Sequence, residues 1–299
     1  MGKTLVGTCS WTDPKLVASG WYPQGRRDAE GRLRYYAERF PVVEVDSTYY
    51  GLPSERNSLL WTERTPDGFR FDVKAFSLFT GHPTRTAALP ADLRALHRGR
   101  PGDSGPGDPE LLDELWRRFT TALEPLRRTG RLAALLFQFP PWFAPDDRAE
   151  AVLRQWSRRA AGWPLAVEFR HPDWWRPDLR QASADLLARL GMSTVSVDMA
   201  QSVADAVPPV DVVSTPRLAV VRFHGRSASW GSGSKEDRFR HTYTTDELTA
   251  WLPRLRSMAA RADELHVLFN NCCADAAARA AETMSGLLAA PTASRTATH

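Results

Sequence analysis

At 299 residues, 42% hydrophobic and 25% charged, the chain is long enough for two ordinary domains or one large α/β barrel, and apolar enough for one sizeable core. A net charge of +4, spread as arginine along the whole chain, permits an anionic ligand but does not demand nucleic acid. No apolar run is long enough to span a bilayer, no apolar segment follows Met1, and the three cysteines (Cys9, Cys272 and Cys273) form no Cys-x-x-Cys pair; a cytoplasmic protein with reduced thiols is the expectation.

The first expected strand is Leu5–Ser10, followed by a Gly-, Pro- and Asp-rich loop over Trp11–Gly31. A helix over Leu33–Phe40 leads to a strand at Val42–Ser47, and Ser54 is a good N-cap for a helix that runs to Arg64. The third strand is Phe69–Ala75. A long segment, Ser77–Pro109, follows, with the near low-complexity run Gly99–Pro109; a loop of this length reads as a lid or an excursion. The pattern then gives helix Glu110–Arg128, strand Leu132–Phe139, helix Asp146–Ala161, a strand from Leu165, helix Asp178–Leu190 and strand Ser193–Asp198. Strand Leu218–His224, helix Thr245–Ala262, strand Leu265–Asn270 and helix Ala274–Leu288 complete it. Residues 289–299 read as a disordered tail. Strands that alternate with helices imply parallel pairing with right-handed crossovers. Eight of them point to one (β/α)8 TIM barrel over residues 1–288, with a long insertion between the third strand and the third helix. An open doubly wound sheet is the alternative, but Gly7-Thr8-Cys9-Ser10-Trp11 after the first strand is no phosphate-binding glycine loop.

Strands have a period of two, so each sorts its side chains onto two faces. One set is apolar: Val43, Val45, Phe71, Val73, Leu135, Phe137, Val167, Phe169, Val195, Val197, Val221, Phe223, Val267 and Phe269. If these pack under helices, the barrel interior receives Glu44, Asp46, Asp72, Lys74, Gln138, Glu168, Arg170, Ser196, Asp198, Arg222, His224 and Asn270, with Thr8 and Ser10 on the first strand. Five carboxylates then face three fixed cations and one histidine. Buried charges need partners, water or a ligand. One outcome is a charge-compensated core without chemistry, such as Glu168 paired to Arg222. The other is an active site, because sites of this fold lie at the strand C-termini.

The motifs GTCSW, VEVDSTYYGLPS, FRFDVKA, LLFQFPP, AVEFRHPDWW, VRFHG and FNN together resemble the YecE-like family, domain of unknown function 72, from about Val6 to Leu288. The resemblance implies a TIM-type barrel and no established reaction. Where that family often follows Asn-Asn with an acidic or small residue, this chain has Cys272-Cys273.

Several chemistries suit these residues. Glu168 and Glu44 are two carboxylates for acid/base work, with Asp198 and His224 as further catalytic candidates. Lys74, Arg170 and Arg222 suit a phosphate or carboxylate, and Gln138, Asn270, Asn271 and Asp46 supply orienting groups. Trp11, Tyr49, Tyr50, Trp142, Trp174, Trp175 and Trp230 fall just after strands and suit a rim on which a sugar or base stacks. Gly225–Thr244 reads as a flap over the mouth. A metal is not expected: one inward histidine with carboxylates would suit Mg or Mn better than Zn, and the nearby cations oppose it. His82, His97 and His241 read as loop residues, and His266 as the start of a strand. The first expectation is therefore a metal-independent hydrolase or lyase that acts on an anionic polar ligand such as a sugar phosphate or nucleotide. A nucleic-acid-binding protein or metal-dependent endonuclease-like barrel, and a non-catalytic ligand sensor, are the alternatives.

Overall fold

In the computed structural model, eight parallel strands close in chain order into a barrel. They are β1 (Lys3–Thr8), β2 (Val42–Val45), β3 (Arg70–Lys74), β4 (Leu132–Phe139), β5 (Leu165–Phe169), β6 (Ser193–Asp198), β7 (Leu218–Phe223) and β8 (Glu264–Phe269). The structure describes residues 2–96, 108–230, 234–271 and 273–290. Closure is made by β1 on β8, with Leu5 opposite His266 and Thr8 opposite Phe269. Gly7 lets β1 meet β2: a Cβ there would lie 2.0 Å from the Val42 carbonyl oxygen.

The helices are α1 (Pro14–Ala18), α2 (Ala29–Ala37), α3 (Glu55–Glu63), α4 (Pro109–Arg128), α5 (Asp147–Arg159), α6 (Arg180–Arg189), α7 (Lys235–Arg238), α8 (Thr245–Thr249), α9 (Leu252–Ala259) and α10 (Ala276–Ala289). Local chemistry sets their ends. Ser54 and Asp146 accept from the backbone N–H groups of Asn57 and Ala149, which caps α3 and α5. The single helix expected over Thr245–Ala262 is two, because Pro253 sits in the first turn of α9 and has no N–H to continue α8. The described part of the insertion after β3 contains 3-10 turns at Ser77–Thr80, Thr86–Ala88 and Ala91–Leu96. His97, most of the Gly99–Pro109 run, Cys272 and residues 291–299 lie outside the described residues, while α10 carries the chain to Ala289. Among the described residues no helix is long and apolar enough to cross a membrane.

Two apolar clusters separate inside from outside. The larger packs helices on the outer faces of the strands and contains Val43, Val45, Phe71, Val73, Phe137, Phe169, Val221, Phe223 and Phe269. The smaller fills the barrel with Leu5, Cys9, Val42, Ala134, Leu136, Ala166, Val195, Leu218, Val220 and Leu268. The expected face assignment therefore holds on β2, β3, β4, β5, β7 and β8, and is reversed on two strands.

On β6, Val195 lies in the inner cluster beside Val220, and Val197, although in contact with the larger cluster, is in register with inward Arg222. Thr194, Ser196 and Asp198 take the outer face, contrary to expectation. The cause is local: the described residues between β6 and β7 form no helix. The outer face of β6 meets loop hydroxyls instead, as in the 2.7 Å bond from Thr194 to Ser214. On β1 the inner residues are Leu5 and Cys9, whereas Thr8 points outward to bond the Tyr36 hydroxyl through its backbone N–H (2.8 Å) and its own hydroxyl (3.0 Å). His266 is also inward, fully buried, 2.7 Å from Asp72 and 3.3 Å from Glu264 near the lower end of the barrel, so His224 is not the sole interior histidine.

Candidate functional site

At the C-terminal end of the interior the strands converge on one guanidinium. Arg222 on β7 forks onto Glu44 of β2, with Nε to Oε2 at 2.8 Å and Nη2 to Oε1 at 2.7 Å. Its Nη1 donates to Glu168 of β5 at 2.5 Å and to Gln138 of β4 at 3.1 Å. All three charged groups are fully buried. Glu168 also accepts from Arg170 Nη1 at 3.1 Å and lies 3.1 Å from His224 Nε2. Asn270 Nδ2 stands 3.0 Å from His224 Nδ1, which fits an imidazole that accepts at Nδ1 and donates from Nε2 to Glu168.

The environment fixes these protonation states. Burial alone would raise Glu168, but Arg222, His224 and Arg170 outweigh it and hold the carboxyl well below its ordinary range. Burial pushes Glu44 up, against the pull of Arg222 and Lys74. His224 is pushed down to about 3, chiefly by burial, with Arg170 and Arg222 adding to the effect against the pull of Glu168; it is neutral at pH 7. Glu168 is thus a fixed negative charge that holds two arginines, and it has no proton to give as an acid.

Above this layer lies a part-exposed rim. Lys74 donates to Asp46 at 2.7 Å, and its ammonium stands 4.7 Å from the centre of the Tyr49 ring. Arg170 lies over the Trp230 ring at 5.2 Å. The side chains of Lys74 and Arg170 are 11% and 13% exposed. Between Tyr49 and Trp142 stands His82, with ring centres 5.4 and 5.9 Å away. Its Nδ1 is 2.8 Å from the Thr80 hydroxyl. Burial, with Lys74 and Arg170 nearby, lowers His82 to about 4. Sequence reasoning placed His82 in an ordinary loop. The usable signal was its position just past the C-terminal end of β3, the end at which this fold builds its sites.

Residues 5–298 match the family described as protein of unknown function DUF72. The chain belongs to that family. It is similar to the UPF0759 protein YunF of Bacillus subtilis (strain 168), 29% identical over 272 residues that cover 89% of this chain and 88% of that one. It is also similar to the UPF0759 protein YecE of Escherichia coli (strain K12), 25% identical over 74% of this chain and 73% of that protein. Among solved structures, a DUF72 protein of Enterococcus faecalis V583 superposes with a TM-score of 0.77 at 25% identity, covering 96% of this chain and 98% of that one. A DUF72 protein of Thermotoga maritima MSB8 gives 0.76 at 28% identity, covering 96% and 99%. These names state no reaction.

Other residues expected at the DUF72 mouth stand elsewhere. Asp198, on the outer face of β6, accepts from Arg226, from the Tyr243 hydroxyl at 2.7 Å and from Trp251 Nε1 at 2.8 Å. It anchors the segment after β7 and does not partner Glu168. Trp11 is 6% exposed and packs edge-on against Trp61 and Phe71, outside the barrel, because the chain leaves β1 outward there. Asn271 donates to the His241 carbonyl at 2.8 Å and holds the same segment. Trp174 stacks on outward-facing Phe169 at 3.9 Å, and both Trp174 and Trp175 are buried rather than on the rim. Cys9 is drawn into the network, its Sγ 3.9 Å from Arg222 Nη2, and burial raises its thiol well above the ordinary range, so it is no activated nucleophile. Among the described residues no three His, Cys, Asp or Glu side chains converge as a metal ligand set.

Proposed function

We propose that this DUF72 barrel is an acid/base enzyme, a hydrolase or lyase, whose mouth takes an anionic polar ligand such as a sugar phosphate or nucleotide. The observation that carries this reading is Arg170. It donates one hydrogen bond, from Nη1 to Glu168, while its other N–H groups have no protein partner among the described residues. A guanidinium has five such donors in a planar fork, a good match for phosphate or carboxylate. Lys74 supplies a second charge across the rim, and Tyr49, Trp142 and Trp230 supply faces for a ring. His82, neutral at pH 7, is the proton-transfer group of this reading. Glu44, Glu168 and Arg222 form the fixed base on which Arg170 is mounted, and His224 and Asn270 steer Glu168.

A panel of sugar phosphates and nucleotides, followed by phosphorus NMR for both binding and product, tests the reading. Arg170→Gln is expected to weaken binding by roughly tenfold to a hundredfold, the loss of one charge-assisted contact of about 1.5–3 kcal/mol. His82→Asn is expected to leave binding intact and slow turnover by about 10²–10⁴. Binding with no turnover in the wild type would favour a ligand sensor. Tight oligonucleotide binding with a steep salt slope would favour a nucleic-acid partner. Indifference of phosphate binding to Arg170→Gln would remove the proposed mouth altogether.

A further inference from the structure

The start of the insertion after β3 forms a frame around His82. The 3-10 turn Ser77–Thr80 ends on Gly81, whose φ of 71° is a left-handed conformation that costs glycine little. The chain reverses there, and the His82 N–H donates back to the Ser77 carbonyl at 3.1 Å. Thr84 braces the other side: its hydroxyl donates to the His82 carbonyl at 3.1 Å and stands 2.7 Å from the Ser77 hydroxyl. His82 is thus held at both its N–H and its C=O, and its ring returns onto Thr80, which is 3% exposed.

One hydroxyl proton then decides which ring nitrogen carries a hydrogen. Thr80 Oγ1 lies 2.8 Å from His82 Nδ1 and donates to the Ser77 carbonyl at 3.2 Å. A hydroxyl has one proton to give and two lone pairs with which to accept. Were the proton given to Nδ1, the contact with Ser77 would set two acceptors against each other. With the proton on the Ser77 side, Nδ1–H donates to Oγ1 and both contacts are hydrogen bonds. Buried polar groups satisfy their contacts, which selects the second arrangement. The Ser77 carbonyl has lone pairs for both of its donors, the Thr80 hydroxyl and the His82 N–H. The charges of the rim favour the same form. Lys74 and Arg170 act on the ring as positive neighbours, and they attract a lone pair where they would repel an N–H. Nε2, the nitrogen that does not face Thr80, has no hydrogen-bond partner among the described residues.

We infer that Thr80 is a positioning residue that holds His82 in the Nδ1–H form, so that His82 offers the mouth the lone pair of Nε2 and begins the reaction as a base. The inference rests on the reading of the mouth as an acid/base site. The step is a proton transfer. The Nε2 lone pair takes the proton of a ligand O–H or C–H, or of a water, and the electron pair of that bond stays on the oxygen or carbon. Nδ1–H stays bonded to Thr80 throughout. The imidazolium that forms stands near Lys74 and Arg170, and a bound anion offsets the charge it adds.

The test is a long-range proton–nitrogen correlation spectrum of the full chain, labelled with 15N at histidine, at pH 7. The His82 signals are assigned by their loss in His82→Asn. Wild type should show a protonated Nδ1 and a bare Nε2. Thr80→Val, which keeps the shape and removes the acceptor, should move the proton to Nε2 with the circular dichroism unchanged, and Thr80→Ser should restore the wild-type form. For a compound that the phosphorus NMR panel shows to be turned over, Thr80→Val should lower kcat by roughly twofold to tenfold, the worth of one hydrogen bond, with KM unchanged, and Thr80→Ser should recover it. A wild type that carries its proton on Nε2, or a folded Thr80→Val that keeps it on Nδ1, overturns the inference even where turnover is found. Tautomers that follow Thr80 while no compound of the panel is turned over would uphold the assignment of Thr80 and remove the enzyme reading instead.

Discussion

Removal of the central guanidinium, Arg222→Met, is the sharpest perturbation of the interior. In the wild type Arg222 gives Glu44 two hydrogen bonds and Glu168 one, and all three groups have no exposed surface. Methionine fills much of the same volume, so the main loss is electrostatic. Glu44 would be left buried with both of its strong donors gone. Glu168 would keep Arg170 and His224. Removal of one partner of a buried pair costs about 3–5 kcal/mol, because the other charge stays behind uncompensated. For a domain of this size that is roughly 6–10 °C in Tm. The assay is urea unfolding at pH 7, with Glu44→Gln and the double variant completing a thermodynamic cycle. The double variant should be less destabilised than the sum of the single ones, since Gln removes the charge that Arg222→Met strands. Acid should also relieve Arg222→Met, as a stranded Glu44 protonates more readily. Strict additivity, or a loss below about 1 kcal/mol for Arg222→Met, would refute the view that Arg222 neutralises a buried carboxylate pair.

The lower cluster predicts an alkaline limit. His266 is raised to about 9 by Asp72 and Glu264 despite burial, so its contribution is complete below the unfolded-state value near 6.5 and is lost as pH rises through 9; His266→Gln should flatten that limb of the stability–pH curve. His82 has the opposite sign. Held to about 4, it should titrate by NMR near that value, and folding stability should fall as pH drops from about 6.5 toward 4; an anion at the mouth should move its midpoint up. Asp198→Ala should release the segment after β7, read as faster amide exchange over residues 226–230 and 239–244, at a cost of about 2–4 kcal/mol for several lost bonds to one buried carboxylate. Unchanged exchange there would mean that Asp198 is not the anchor.

The barrel was legible because strand and helix alternate along most of the chain, a pattern that says little about ligands. Glu44, Glu168 and Arg222 were legible for the same reason: a charge in an otherwise apolar β-strand stands out at period two. What failed on β6 was the assumption that the apolar face always lies under a helix. Where the connection after a strand carries no helix, polar side chains such as Thr194 and Asp198 bond the loop, and valines turn inward. Alternation sets two faces and does not say which is which. His266 was missed because a histidine at the start of a strand looks like a boundary residue. Its partner Asp72 lies 194 positions earlier in the chain, and only closure of β1 on β8 and of the barrel as a whole brings the two together. His82 was missed because loops carry no period at all.

Both ends of the interior carry ion pairs, and the difference between them supports the proposed place of a ligand. At the lower end Arg70 spends Nε and Nη2 on Glu264 and Nη1 on the Gly130 carbonyl, so every nitrogen of the guanidinium is engaged. At the upper end Arg222 is engaged in the same way, through Nε, Nη1 and Nη2, and fully buried. Arg170, one layer higher, is mounted on Glu168 by a single bond and lies against Trp230. Exposure alone would favour the wrong end, since Arg70 is 25% exposed and Arg170 only 13%. On the proposed reading, unspent donors outweigh exposure. A saturated guanidinium gains little from an anion, because each new bond must replace an old one, whereas a guanidinium held by one bond in a low-dielectric rim gains the full charge-assisted contact. On the proposed reading the carboxylates below it serve the mouth indirectly: they fix Arg222, and with it Glu168, so that Arg170 is held through one donor and keeps the others for a ligand.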